Sequence, residues 1–300
     1  MQKILIRSIP DDVFKVIEVL AEKEGRSLEG QARYALCEMA KPVLERFEDS
    51  MRKKEISKRL RTILEFPNTP STSSELAEKI GETHGEFMDK AFLGLVEPSF
   101  EQLNALADLA GVNRQWLLHG TGSMLFNDWV RLPEDAEKAV SWLLSLPDAP
   151  GFAGDKIKTL SFVRSLDSGS MSIVKESISG CYAIYHTPIY LSEEIGNGGM
   201  SMLIGLFNTF RLLWSVYVSR DSRFEVSGNE INVESYLLSP KYDKELSEGN
   251  THPQEILKNK SMWWEDIWDT KMTNDRVSEY WPGFFRLRDS VMENMKSRNE

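Results

Sequence analysis

Apolar residues recur at helical spacing soon after the chain begins. Val13, Val16, Ile17 and Leu20 fall on one face of a helix, in the i, i+3, i+4, i+7 pattern of a buried stripe. Pro10-Asp11-Asp12 suits its N-terminus, and Gly25 supplies a stop. A second helical pattern follows, with Ser27 as N-cap and Ala32, Ala35, Leu36 and Met39 as its inward stripe. Ahead of both, "KILIR" (3–7) alternates. Ile4 and Ile6 share one face, and Lys3, Leu5 and Arg7 share the other. No second strand pattern lies nearby to pair with it. A strand and two short helices cannot bury these faces alone. The pattern therefore predicts a homodimer, with one strand from each chain in an antiparallel ribbon and both helix pairs in a shared core.

The stretch "FPNTPSTSS" (66–74) breaks the helical pattern with Pro67, Pro70 and a Ser/Thr cluster. Residues 55–126 carry five helical segments, with Leu76, Ala77, Ile80, Leu103, Leu106, Ala107, Leu109, Trp116 and Leu117 as their core. Residues 127–155 read as a connecting helix between prolines. Strand patterns come next at "IKTLSFVRSL", "SMSIVKES" and "GCYAIYHTPIYL", then a long apolar helix at "GGMSMLIGLFNTFRLLWSVYVSR". Further strands are expected at "RFEVSG" and "EINVESYLLS". The aromatic-rich segments "HPQEILKNKSMWWEDIWDTKM" and "VSEYWPGFFRLRDSVMENM" read as helical. The predicted fold is mainly α with an α+β C-terminal domain, divided at 1–50, 51–126 and 127–300.

Charge sharpens this division. The net charge is −10, but residues 1–62 hold 14 Lys+Arg against 11 Asp+Glu, whereas 63–125 hold 3 against 9 and 126–300 hold 19 against 26. A nucleic-acid footprint is therefore expected in the first segment. Its densest part is "RKKEISKRLR" (52–61), where Arg52, Lys53, Lys54, Lys58 and Arg59 are candidate phosphate contacts. Two cysteines, Cys37 and Cys181, form no disulfide framework, and the four histidines lack metal-ligand spacing. No apolar run is long enough to span a bilayer. A cytoplasmic protein without cofactor or metal is expected.

"IRSIPDDV" and "EGRSLEGQARYAL" resemble the strand-to-helix junction and second-helix opening of the ribbon-helix-helix family, over residues 2–45. That resemblance implies that the ribbon enters the DNA major groove, with Lys3, Leu5 and Arg7 toward the base edges. Arg7 bidentate to guanine would contribute ~1–3 kcal/mol of discrimination. The free N–H groups around Arg26 and Ser27 would clamp a phosphate. Further on, "LAEKIG", "PSFEQLNALADLAGV" and "QWLLHGTGSM" are similar to the second, fourth and closing helices of lambda-type repressor domains. The recognition helix would then be 83–93. It offers Glu86, Asp89 and a mid-helix Gly85, with Lys90 as its one base. Carboxylates facing phosphate repel, so the charge argues against a reading role here.

Three features suggest chemistry in the C-terminal part. Ser170 in "GSM" resembles the serine of self-cleaving phage repressors, but no lysine occurs from 176 to 240 where its base would fall. Gly196, Gly198 and Gly199 in "GNGG" precede a helix and so are a candidate anion cradle, although they lack the P-loop lysine. Trp263 and Trp264, with Trp268 and Trp281, would either stack on a ligand or pack as core beside Ile267. Cys181, Tyr182, Tyr185 and His186 complete no triad, so no enzyme is expected. The reading is a homodimeric transcriptional regulator, a repressor, that binds a double-stranded DNA operator through its N-terminal ribbon. Its C-terminal domain would sense a protein or small-molecule effector, and a phage, plasmid or other mobile element is the natural setting. The alternative is an antitoxin-like protein whose C-terminal domain binds another protein and whose DNA binding autoregulates.

Overall fold

The computed structural model describes residues 8–194, 196–219, 231–271 and 280–298. The strand expected at 3–7, with Lys3, Leu5 and Arg7, lies outside the described residues, as does the strand expected at 223–228. Helix α1 (Asp11–Lys23) carries Asp11 and Asp12 in its first turn. It closes on Gly25, whose φ of 63° places it in the left-handed region. The Arg26 N–H reaches the Ala21 carbonyl at 2.9 Å, the wide turn that a C-terminal glycine permits. Ser27 then caps α2 (Leu28–Leu64), its side chain accepting from the Gly30 N–H.

Helix α2 is one unbroken helix of 37 residues with Pro42 inside it. It runs straight through the division expected at residue 50. The polar stretch there is not a linker: Lys53 pairs with Asp49 at 2.7 Å, one turn apart. Such i, i+4 pairs support a helix that is polar all round.

The last turns of α2 begin a helical layer. Helices α3 (Ser73–Lys79), α4 (Glu86–Phe92), α5 (Phe100–Ala110) and α6 (Arg114–His119) complete it. Thr72, Ser99 and Asn113 cap three of them, and Ser99 with Gln102 makes a reciprocal capping box. Leu76, Ala77, Leu103, Leu106, Ala107 and Leu117 are buried as expected, with Ile80, Leu109 and Trp116 packed at the margin.

The C-terminal part is α+β. Its strands are β1 (Phe126–Trp129), β2 (Ile157–Ser165), β3 (Ser170–Ser177), β4 (Tyr182–Tyr190), β5 (Asn232–Leu238) and β6 (Lys260–Ser261). They form one sheet in the order β1-β4-β3-β2-β5-β6. β1 runs parallel to β4 and β2 parallel to β5, while the other pairs are antiparallel. Both faces are covered. Helices α7 (Ala136–Leu144), α8 (Asn197–Ser219), α11 (Trp263–Asp266) and α12 (Phe284–Ser297) pack on Leu160, Phe162, Ile173 and Ala183. The opposite face presents Val163, Val174, Ile184, Tyr236 and Leu238 to Leu60, Ile63, Phe66 and the core of α3–α6. Helices α9 (Pro240–Glu248) and α10 (Pro253–Ile256) fill the rest of that face.

The described residues between 56 and 298 therefore share a three-layer helix–sheet–helix packing, and the expected division at 126 falls within strand β1. Cys181 shows how close the layers come. A β-carbon on Gly111 would lie 2.6 Å from the Cys181 Cβ, and one on Gly151 would lie 2.4 Å from its Sγ. Two further expectations are corrected. Residues 127–155 begin with a strand before their helix, and 252–271 contain α10, β6 and α11 rather than one helix.

Candidate functional site

The basic run of α2 separates by side-chain direction. Arg59 faces inward: its Nε donates to the Leu117 carbonyl at 2.9 Å and its Nη2 to that of Leu118 at 3.4 Å. Burial lowers its pKa from the usual guanidinium value. Arg59 closes the C-terminal end of α6, a structural engagement beyond the phosphate contact expected from sequence. Arg52 is paired with Glu97 at 2.7 Å, and Lys53 with Asp49. Lys54 and Lys58 are exposed.

Lys54, Lys58 and Arg61 follow one another at i, i+4 and i+7 along α2, so they project from one face. They line a cleft of about 440 Å³ with Ser57, Thr62, Glu65 and Leu93. Arg61 is anchored there, its Nε and Nη2 donating to the Phe92 carbonyl at 3.1 and 2.9 Å. The Ser57 hydroxyl donates to the same oxygen at 2.5 Å. The basic row thus borders the end of α4. Arg61 was legible as part of the basic run, but its place in the row depends on the helix continuing past residue 50.

Helix α4 itself stays acidic. Lys90 is paired with Glu86 at 2.7 Å, and Asp89 accepts from the Ser73 hydroxyl at 2.5 Å. Its lone base is neutralised within its own turn, and this pairing lowers the pKa of the Glu86 carboxyl.

At the other end of α2, Arg26 is held locally. It pairs with Glu24 at 2.9 Å, donates to Gln31 and lies over the Tyr34 ring at 3.9 Å. Beside it, α1 and α2 expose the stripes expected to be inward. Val13, Val16, Leu20, Leu36 and Met39 are all exposed, Met39 at 71%.

The remaining candidates divide. Gly198 and Gly199 lie in the first turn of α8, and a β-carbon at Gly196 or Gly198 would meet nothing within 4 Å. No close backbone approach requires glycine at those two. Trp263 is core: its indole N–H donates to the Tyr236 carbonyl at 3.2 Å. Trp264 is equally buried, yet its indole N–H has no partner among the described residues.

Ser170 is bonded to Ser168 at 2.8 Å. Lys175, five residues further along the same strand, is engaged elsewhere. Its Nζ donates to the carbonyls of Trp142 and Ser145 at 2.7 and 2.8 Å, 4.1 Å above the Trp142 ring. Burial brings its pKa down to about 7. Among the described residues no cluster of His, Cys, Asp and Glu fits a metal ion, and no helix is long and apolar enough to cross a membrane. Compared with known proteins, the chain matches no family model, no curated protein and no solved structure.

Proposed function

We propose that this chain is a DNA-binding transcriptional regulator that acts as a homodimer, reading its operator through the N-terminal segment. The observation that carries the reading is the exposed apolar stripe on α1 and α2. Two helices joined by a tight glycine turn, with one greasy side open to water, are half of a core. A second copy supplies the other half and brings two N-terminal strands together. Phosphate contacts are assigned to Lys54 and Lys58, with Arg61 beside them, and to the Leu28 and Glu29 amides at the start of α2, because those of Arg26 and Gly30 are taken by the Ala21 carbonyl and the Ser27 side chain. The acidic α4 serves packing against α2 and α3 rather than reading.

The test uses the full chain. Sedimentation should give a dimer, and Leu36→Glu should give a folded monomer by circular dichroism. Arg7→Ala should keep the dimer and weaken binding to a DNA fragment selected from random sequence. A wild-type monomer, or undiminished DNA affinity in Arg7→Ala, would refute the reading.

A further inference from the structure

The indole N–H groups of Trp264 and Trp268 are buried and, among the described residues, have no hydrogen-bond partner. Native interiors pair nearly all such donors. Trp263, their neighbour in the same segment, obeys that rule through Tyr236.

The two unpaired donors share one aromatic wall. The Trp214 ring lies 5.8 Å from that of Trp264 and 6.4 Å from that of Trp268. Tyr217 lies 6.1 Å from Trp214 and 6.5 Å from Trp264. Tyr217, at the edge of this wall, is exposed. Exposed Arg211 places its guanidinium 6.0 Å from the centre of the Trp268 ring. The cluster thus offers donors and flat apolar surface together. Of the carboxyls nearest in sequence, Asp266 accepts from the Tyr280 hydroxyl, and Asp269, next to Trp268, accepts from the Lys271 N–H at 2.8 Å. The Glu265 carboxyl has its pKa raised by burial and by Asp266.

We propose that Arg211, Trp214, Tyr217, Trp264 and Trp268 form an effector site for a planar aromatic carboxylate. The ring would lie against Trp214 and Tyr217, while the carboxylate oxygens accept from the two indole N–H groups and from Arg211. Charge-assisted bonds of this kind are the strong ones, and an acceptor would satisfy donors the fold leaves open. The site deepens the regulatory reading and rests on it only for its effect on DNA binding.

Isothermal titration of the full chain without DNA tests the site, with 2-naphthoate as ligand and 2-naphthol as its uncharged counterpart. One saturable site is expected for 2-naphthoate, with 2-naphthol at least about tenfold weaker. Arg211→Gln and Trp268→Phe should each weaken 2-naphthoate by about tenfold or more. Absence of saturable binding, or full affinity in both variants, would overturn the assignment. A chain that binds 2-naphthoate but no DNA would keep this site and lose the regulatory reading; the converse would do the opposite.

Discussion

Arg59 and Leu117 are joined by a 2.9 Å hydrogen bond from guanidinium to carbonyl, which ties the last turns of α2 to the end of α6. The bond turns one member of a basic run into a structural strut. Arg59→Met should therefore destabilise the protein by about 1–3 kcal/mol, because it leaves half-buried carbonyls without a donor. Thermal unfolding checks this. A stability within about 0.5 kcal/mol of wild type would return Arg59 to the surface.

Lys54 and Lys58 should behave in the opposite way. Lys54→Gln with Lys58→Gln removes two exposed charges and should leave stability within roughly 0.5 kcal/mol. The dependence of log affinity for DNA on log salt should become shallower by about 0.9 for each phosphate that is no longer neutralised. An unchanged salt slope would place the phosphate-binding groups elsewhere.

Gly111 meets Cys181 where the helical layer touches the sheet. Gly111→Ala forces a β-carbon into that narrow space and a side chain onto a φ of 67°. A loss of about 2–4 kcal/mol is expected from overpacking and left-handed strain together. The described residues between 56 and 298 share their layers, so calorimetry should show both sides of the sheet melting in one transition. Separate transitions for 56–125 and the rest would contradict the shared packing.

Lys175 gives a pH signature. Its folded pKa of about 7 lies below the ordinary 10.5, so between these values the unfolded chain binds the extra proton. Stability must then rise with pH through that window, by up to about 1.4 kcal/mol per unit. The burial cost is fully present below pH 7 and fades as pH approaches 10.5. Denaturant unfolding between pH 7 and 9.5 should show this rise in wild type and lose it in Lys175→Met, whatever the variant's absolute stability. An equal slope in both would mean that Lys175 stays charged.

Most elements are legible where local chemistry specifies them. Ser27 and Gly25 mark the start of α2 and the end of α1 in the sequence as they do in the fold. β2, β3 and β4 follow their apolar runs within a residue or two. What escapes is non-local. β1 has four residues and no alternation, and it exists because β4 offers a parallel edge. β6, two residues long, depends likewise on β5. The layered packing is hidden because apolar strands such as "SIVKES" look the same whichever helices cover them. Trp263 and Trp264 are adjacent and identical in type. Their difference lies in the Tyr236 carbonyl, which only the fold brings to one of them.

The uninterrupted α2 has a consequence of a mechanical kind. From Leu28 to Ile56, where the layered body begins, about 28 residues rise roughly 42 Å without a joint. Such a shaft transmits torque as well as length. One inserted residue near position 47 would lengthen it by only about 1.5 Å but swing the body by about 100° relative to the head. Seven inserted residues would add about 10.5 Å and restore the original facing to within roughly 20°. The angular setting of the body is thus written in residue count, and spacing cannot drift in this chain without breaking phase.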